Sequence, residues 1–355
     1  MEACARAYHA PAPSVTAREF AVEPRDTTGS GGPLVPTTPP QLQRRRLVET
    51  SEGTRAESFG PAEWGLLAAA ALIWGSSFLF IEIGLEAFRP GLVALARVAL
   101  GAVTVALVPR ARQPVDRGDM PRIALLGVVW MAVPFVLFPM AQQWINSAVA
   151  GMLNGAVPLT STVIATLLLR RLPGAKQLVG LTIGFVGVVA IAWPQVQAGS
   201  NTALGAGLIL VAICLYGLGL NMAVPLQQRY GALPVLLRSQ LAALVLLVPF
   251  GLWQVPGSQW SATAALAMIP LGALGTGLAF VAMVTLAGRA GAARGSIAIY
   301  FTPIVAIALG VAFRGDHVPA IALVGVVLVI AGAWLTSRRE RHATPAVTPH
   351  GPAAP

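Results

Sequence analysis

The sequence predicts an all-α membrane protein with ten transmembrane helices in two inverted five-helix repeats. Three observations lead there. Of 355 residues, 55% are hydrophobic and only 11% are charged, whereas a soluble domain carries about 25% charged residues. The apolar residues fall into successive runs of roughly twenty, the length that spans a bilayer as a helix. The tails, gaps and run edges carry basic residues on alternate sides, 17 against 2, which is the pattern of a chain oriented by positive charge.

Taken in order, residues 1–60 are rich in Pro, Thr, Arg and Gly without an apolar period, and predict a disordered cytoplasmic tail. Apolar runs follow at 64–86, 91–109, 122–144, 147–168 and 177–193, and again at 204–224, 233–253, 263–287, 293–313 and 319–337. They divide the chain into a first repeat, 61–199, a second, 200–338, and a short cytoplasmic tail, 339–355. The runs are far longer than the roughly 10 residues of a barrel strand and do not alternate. Only Arg89 and Arg314 lie in the gaps opposite the tail, so both termini are expected in the cytoplasm of a multi-pass cell-membrane protein. The gap at Gln197 to Thr202 is then expected outside.

A shift of 145 places Gly127 on Gly272, Pro158 on Pro303, Gly180 on Gly325 and Gly187 on Gly332. A shift of 142 places Gly75 on Gly217, and one of 141 places Arg97 on Arg238. Each half has an odd number of runs, so the second half enters the membrane from the opposite side. Inverted halves of this kind are a common plan for secondary transporters, because two near-equivalent halves can exchange conformations.

Three stretches carry a family resemblance. The run from Trp74 to Ile81, the small-residue stretch from Ala148 to Leu159 with Pro158, and the run from Gly180 to Val189 resemble the first, fourth and fifth helices of EamA-type members of the drug/metabolite transporter superfamily. Their counterparts recur through Pro303 and from Gly325 to Gly332. The resemblance implies a ten-helix transporter, often an exporter of metabolites, amino acids or toxic compounds. This chain departs from many relatives in having Arg171 where an acidic residue often follows the fourth helix, and Glu82 where a Lys often follows in the first. Asp316 keeps the acidic position of the ninth.

Candidate functional residues come from mid-membrane polarity. Pro158 and Pro303 each lack an N–H, which frees the carbonyls of Asn154 and Ile299 and kinks the helix; beside a hydrated cavity such carbonyls become ligand groups. Trp74, Ser76, Ser77, Trp130, Asn154, Tyr216, Asn221 and Tyr300 lie at similar depth and predict an apolar-walled substrate site with a few polar anchors. Helix packing is the competing role for Trp74 and Tyr300, and bonding to backbone carbonyls for Ser76 and Ser77. Gly180, Gly184, Gly272, Gly275 and Gly277 are assigned to close helix packing. Charges well inside the spans are few, and Glu82, Arg97 and Arg238 stand out. Glu82 and Arg97 sit at matched depth in neighbouring runs and predict a structural ion pair; proton coupling through Glu82 is the alternative. Arg238 has no matched acid and is expected to reach back to the cytoplasm.

Several classes are excluded. The net charge of +10 lies in short gaps, not on one patch, so a nucleic-acid partner is not indicated. Two cysteines and four scattered histidines make no metal spacing, and no cofactor motif occurs. No nucleophile triad or HExxH helix suggests an enzyme, and no GxxxxGK[ST] loop suggests ATP-driven transport. The expected partners are a small-molecule substrate and the lipid bilayer. A non-transporting receptor or scaffold is the alternative function.

Overall fold

The computed structural model describes residues 47–48, 50, 61–170, 174–290, 299 and 301–337. The expected tails, apart from residues 47–48 and 50, and Tyr300 lie outside the described residues. The described secondary structure is helical throughout, with no strand.

Seven described helices are long and apolar enough to cross a membrane, and three further apolar helices are shorter. We number them in chain order: α1 Pro61–Leu85, α2 Pro90–Ala106, α3 Arg117–Ala141, α4 Ser147–Leu169, α5 Ala175–Ala198, α6 Ser200–Tyr230, α7 Ala232–Trp253, α8 Ala262–Leu286, α9 Thr302–Arg314 and α10 Ala320–Ser337. Their outward faces carry large apolar side chains such as Phe185, Val245, Val327 and Phe313, each well over half exposed. In water this surface would be unstable; hydrocarbon is its proper solvent.

Two helix ends depart from the sequence expectation. The run at 204–224 extends to 31 residues in α6, about 46 Å at 1.5 Å per residue and longer than the roughly 30 Å hydrocarbon core. Its extra turns carry Gln227, Gln228 and Arg229, which are polar yet good helix formers, so hydropathy ends before the helix does. The expected gap from Gln197 to Thr202 shrinks to one residue, Gly199, at φ 136. Only glycine takes that backbone readily.

Proline and small residues break three helices. In α3 the ladder widens to i→i+5 bonding over Val128–Ala132, just ahead of Pro134, whose missing N–H cannot reach the Trp130 carbonyl. In α8 it widens again over Pro270–Leu278. In α4 the helix stops at Asn154 and restarts at Val157, with Pro158 in the first turn of the second piece. Pro303 likewise sits in the first turn of α9. The expected kink at Pro158 takes the form of a break in the ladder of α4, and Pro303 stands at the start of the described part of α9; a ring that cannot donate is cheapest where the N–H has no intrahelical partner.

Glycines mark where backbones touch. Gly180 on α5 lies against Gly332 on α10, and Gly187 on α5 lies against Gly325 on α10, through direct backbone contact. Gly75 on α1 meets Val305 on α9, and Gly217 on α6 meets Thr160 on α4. Gly127 on α3 packs on Ser239 and Ala242 of α7, and Gly272 on α8 packs on Arg97 and Leu100 of α2. Asp316 ties α9 to α4 by accepting from the Ala148 N–H and the Ser147 hydroxyl at the start of α4.

Candidate functional site

The centre of the molecule holds a cavity walled by α1, α2, α3, α4, α6, α8 and Ile299, which precedes α9. Its water-accessible volume is about 50 Å³, within about 550 Å³ of atom-free space that runs on into open solvent. That is room for a few waters, so a substrate of amino-acid size requires the walls to part.

The walls are aromatic. Phe280 is the hub, with Trp74 at 5.3 Å, Trp130 at 5.1 Å and Phe135 at 5.7 Å between ring centroids, all edge-to-face. Tyr216 stacks on Phe138 at 5.6 Å, and Phe78 lies tilted against Phe138. The widened turn of α8 fixes this cluster: it presents the Gly275 carbonyl, which accepts from the Trp74 indole N–H at 2.9 Å. A regular helix would have kept that carbonyl for its own ladder. Gly275 also lets α1 come close, since a Cβ there would lie 3.0 Å from the Ser77 hydroxyl oxygen.

Besides Ser77, whose hydroxyl is bonded within α1, the polar side chains of Asn154, Tyr216 and Arg97 reach this cavity. Asn154, at the break in α4, is 6% exposed, and its amide bonds no described residue. The Tyr216 hydroxyl also bonds no described residue. Arg97, from α2, is 4% exposed. Its guanidinium lies 3.8 Å above the Phe135 ring, and its Nε donates to the Thr276 hydroxyl at 3.0 Å.

The sequence-stated candidates divide accordingly. Trp74, Ser77, Trp130, Asn154 and Tyr216 line the cavity. Ser76 does not; its hydroxyl, like that of Ser77, donates to the Ile73 carbonyl. Asn221 points instead at α4, donating to the Ser161 carbonyl and hydroxyl and to the Gly217 carbonyl. Pro158 and Pro303 are absent from the lining, while Asn154 and Ile299, four residues before each, are part of it. Pro303 packs on Gly155.

The expected pair of Glu82 and Arg97 does not form. Glu82 accepts from the Arg314 Nε at 3.0 Å, with Glu86 completing the cluster. The reason is helical phase. Trp74, Ser77, Phe78 and Ile81 set the cavity face of α1 at helical spacing, and Glu82 lies about 100° round from Ile81, towards α9. Matched depth alone does not make two side chains meet. Arg238 reaches the segment before α3, donating to the Ala111 and Gln113 carbonyls.

Sequence reasoning missed Phe78, Phe138, Phe280 and Met283 as lining residues, because apolar residues in a bilayer helix have no polarity to betray them. One signal was available. At a shift of 142, Trp74 and Phe78 fall on Tyr216 and Leu220; at 145, Phe138 and Asn154 fall on Met283 and Ile299. All eight line the cavity.

Comparison with known proteins agrees with this architecture. The model of the EamA-like transporter family matches two stretches, residues 64–193 and 203–338. A protein of Streptantibioticus cattleyicolor described as a probable terminal-alkyne amino-acid exporter is 29% identical over 287 residues, covering 78% of this chain and 94% of that protein. An uncharacterised inner membrane transporter of Escherichia coli is 27% identical, covering 77% of this chain and 92% of that protein. A crystal structure with 17% identity superposes with a TM-score of 0.58 over 77% of this chain and 96% of that chain, which indicates a shared fold.

Proposed function

The chain belongs to the EamA-like transporter family, and from that premise we propose a secondary-active exporter of a small metabolite, amino acid or drug-like molecule. It works by alternating access between two inverted repeats, residues 61–199 and 200–338, each of five spanning helices, with both termini in the cytoplasm. The central cavity is the substrate site.

The observation that carries this reading is the pairing of the cavity walls. Four residues from the first half and their four repeat counterparts share one cavity, which supports an in-plane pseudo-two-fold axis through it. The helix contacts pair in the same way. Gly180 meets Gly332 while Gly187 meets Gly325, and at a shift of 145 each contact maps onto the other. The contact of Gly127 with Ser239 and Ala242 maps onto that of Gly272 with Arg97 and Leu100 when the α2-to-α7 shift is 142. By this packing the counterpart of Arg97 is Ser239, one residue on from the Arg238 that the sequence shift of 141 suggested. The family model matching two separate stretches supports the same division.

Ion pairs link the halves at both ends. Arg314 holds Glu82 and Glu86 at the end expected outside, and Arg229 holds Asp119 at the other. With the narrow cavity between them, these pairs fit a closed arrangement from which either end opens when its ions part. Glu82 is the candidate proton carrier, because its second carboxylate oxygen is buried without a partner.

The test is flux from reconstituted vesicles. Vesicles bearing the protein and loaded with a terminal-alkyne amino acid should release it faster than protein-free vesicles, and a pH gradient should accelerate release for wild type but not for Glu82→Gln. Equal release with and without protein, across a panel of amino acids and amphipathic drugs, would sink the transport reading. A pH effect that survives Glu82→Gln would remove Glu82 from the coupling step.

A further inference from the structure

We propose that Arg97 is the substrate-reading residue, and that the transported solute is a small carboxylate whose anionic group binds the Arg97 guanidinium while its apolar part lies against Trp74, Trp130 and Phe280. This deepens the transport reading and rests on it for placing the ligand in the transport path.

Among the described residues Arg97 is the one cation that lines the cavity, and it has no ion-pair partner among them. Its protein contacts occupy the Nε, through Thr276, and the face of the plane, through Phe135. The two terminal nitrogens, Nη1 and Nη2, bond no described residue. A guanidinium does not escape burial by losing its proton, because it stays charged at any biological pH. At membrane depth an unpaired charge is costly, and such residues almost always have a partner or line a polar path. Here the residue is 96% buried, faces the cavity and lacks an acid, so the missing partner is an anion that comes and goes.

The geometry narrows that anion. A guanidinium fixed through Nε and by its ring contact offers its remaining edge as a planar fork, which matches the two oxygens of a carboxylate. The small void argues against a bulky polyanion. The aromatic walls favour an apolar or aromatic remainder, and the free Asn154 amide and Tyr216 hydroxyl can take further hydrogen bonds. The repeat adds an independent point. The packing counterpart of Arg97 is Ser239, so the charge stands on one side of a cavity in which eight lining residues fall in repeat pairs. Folding two similar halves together does not need that charge.

The experiment compares acids with their amides. Purified full-length protein is heated in the presence of L-propargylglycine, L-phenylalanine and 3-phenylpropionate, and of the carboxamide of each. At least one acid should raise the melting temperature more than its amide, which keeps size and apolar surface but loses the anion. Titration should show affinity for that acid falling about 10- to 100-fold in Arg97→Gln, the loss of a charge-assisted bond, and less in Arg97→Lys, which keeps the charge without the fork. If no acid stabilises wild type beyond its amide, the proposal is overturned, and this result does not depend on any variant folding. Equal affinity in a folded Arg97→Gln overturns it as well. Flux of amides and acids alike would preserve transport and remove Arg97 from recognition. Selective binding of acids without flux would preserve the role of Arg97 and remove transport.

Discussion

Asn154 occupies a position where local chain chemistry and tertiary packing act together. Pro158 cannot donate to its carbonyl, Gly155 and Ala156 interrupt the helix, and the side chain ends in the cavity with its amide unbonded. A buried amide without protein partners is costly unless water or a ligand completes it. Asn154→Leu removes the polar group at little change in volume. It should leave the melting temperature of the ligand-free protein unchanged or slightly higher, and weaken substrate binding about tenfold, the value of one hydrogen bond near 1.4 kcal/mol. Titration of both proteins with an identified substrate checks this, and unchanged affinity would make the amide dispensable. Asn221 shows how residue type alone misleads. It is the same amide, expected from the sequence at similar depth, yet it is 0% exposed and joins α6 to α4. The sequence contains both asparagines as equals; only the rotation of each helix separates ligand group from structural fastener.

At the scale of elements, small residues set the helix contacts. α5 is the least buried of the long spans, and its main packing face is the stripe Gly180, Gly184 and Gly187 against α10. A Cβ at Gly187 would lie 2.6 Å from the Gly325 carbonyl oxygen and 2.7 Å from the Val329 nitrogen. Both are backbone atoms, so the helices themselves must separate. Gly187→Ala should therefore destabilise the protein by about 1–3 kcal/mol, the usual cost of overpacking. Gly207 on α6 has nothing within 4 Å of such a Cβ, so Gly207→Ala should be neutral or stabilising by up to about 1 kcal/mol through helix propensity. Melting of the two variants in one detergent provides the contrast. If Gly187→Ala melts with wild type, the backbone contact between α5 and α10 is looser than described. Two members of the stripe, Gly180 and Gly184, were legible in the sequence as small packing residues, while Gly187 stood out only through its repeat match to Gly332. Their partners were not, because Gly332 and Gly325 lie more than a hundred residues away and many other glycines offered equal candidates.

For the whole molecule, topology is the property that most needs a measurement. From the charge bias and the odd number of apolar runs per half, the proposed topology expects Gly199 and its neighbours outside and both termini inside. Ser200 is exposed at the start of α6. With Cys4 and Cys214 replaced, a Ser200→Cys variant in intact cells should react with a membrane-impermeant maleimide from the outside. Reaction only after permeabilisation would invert the halves or change the number of spans, and the alternating-access reading would have to be redrawn.

Composition and hydropathy by themselves determined that this chain is a helical membrane protein, and nine of the ten apolar runs became described helices within a few residues. The ninth is described only from Thr302. They succeed because the bilayer imposes one rule along the chain: each crossing needs about twenty apolar residues with backbone bonds satisfied within the helix. The break at Pro158 follows from the same linear logic, since a ring without an N–H cannot close the ladder. Tertiary structure decided everything that depends on rotation about helix axes. It turned Arg97 to the cavity and Glu82 to Arg314, sent Asn221 to α4, and gathered Phe280, Phe135 and Trp130 into one cluster. A hydropathy profile records depth and discards azimuth, and in hydrocarbon an apolar side chain is equally at home facing lipid or facing the cavity. Which of those faces it takes is fixed only when the helices pack.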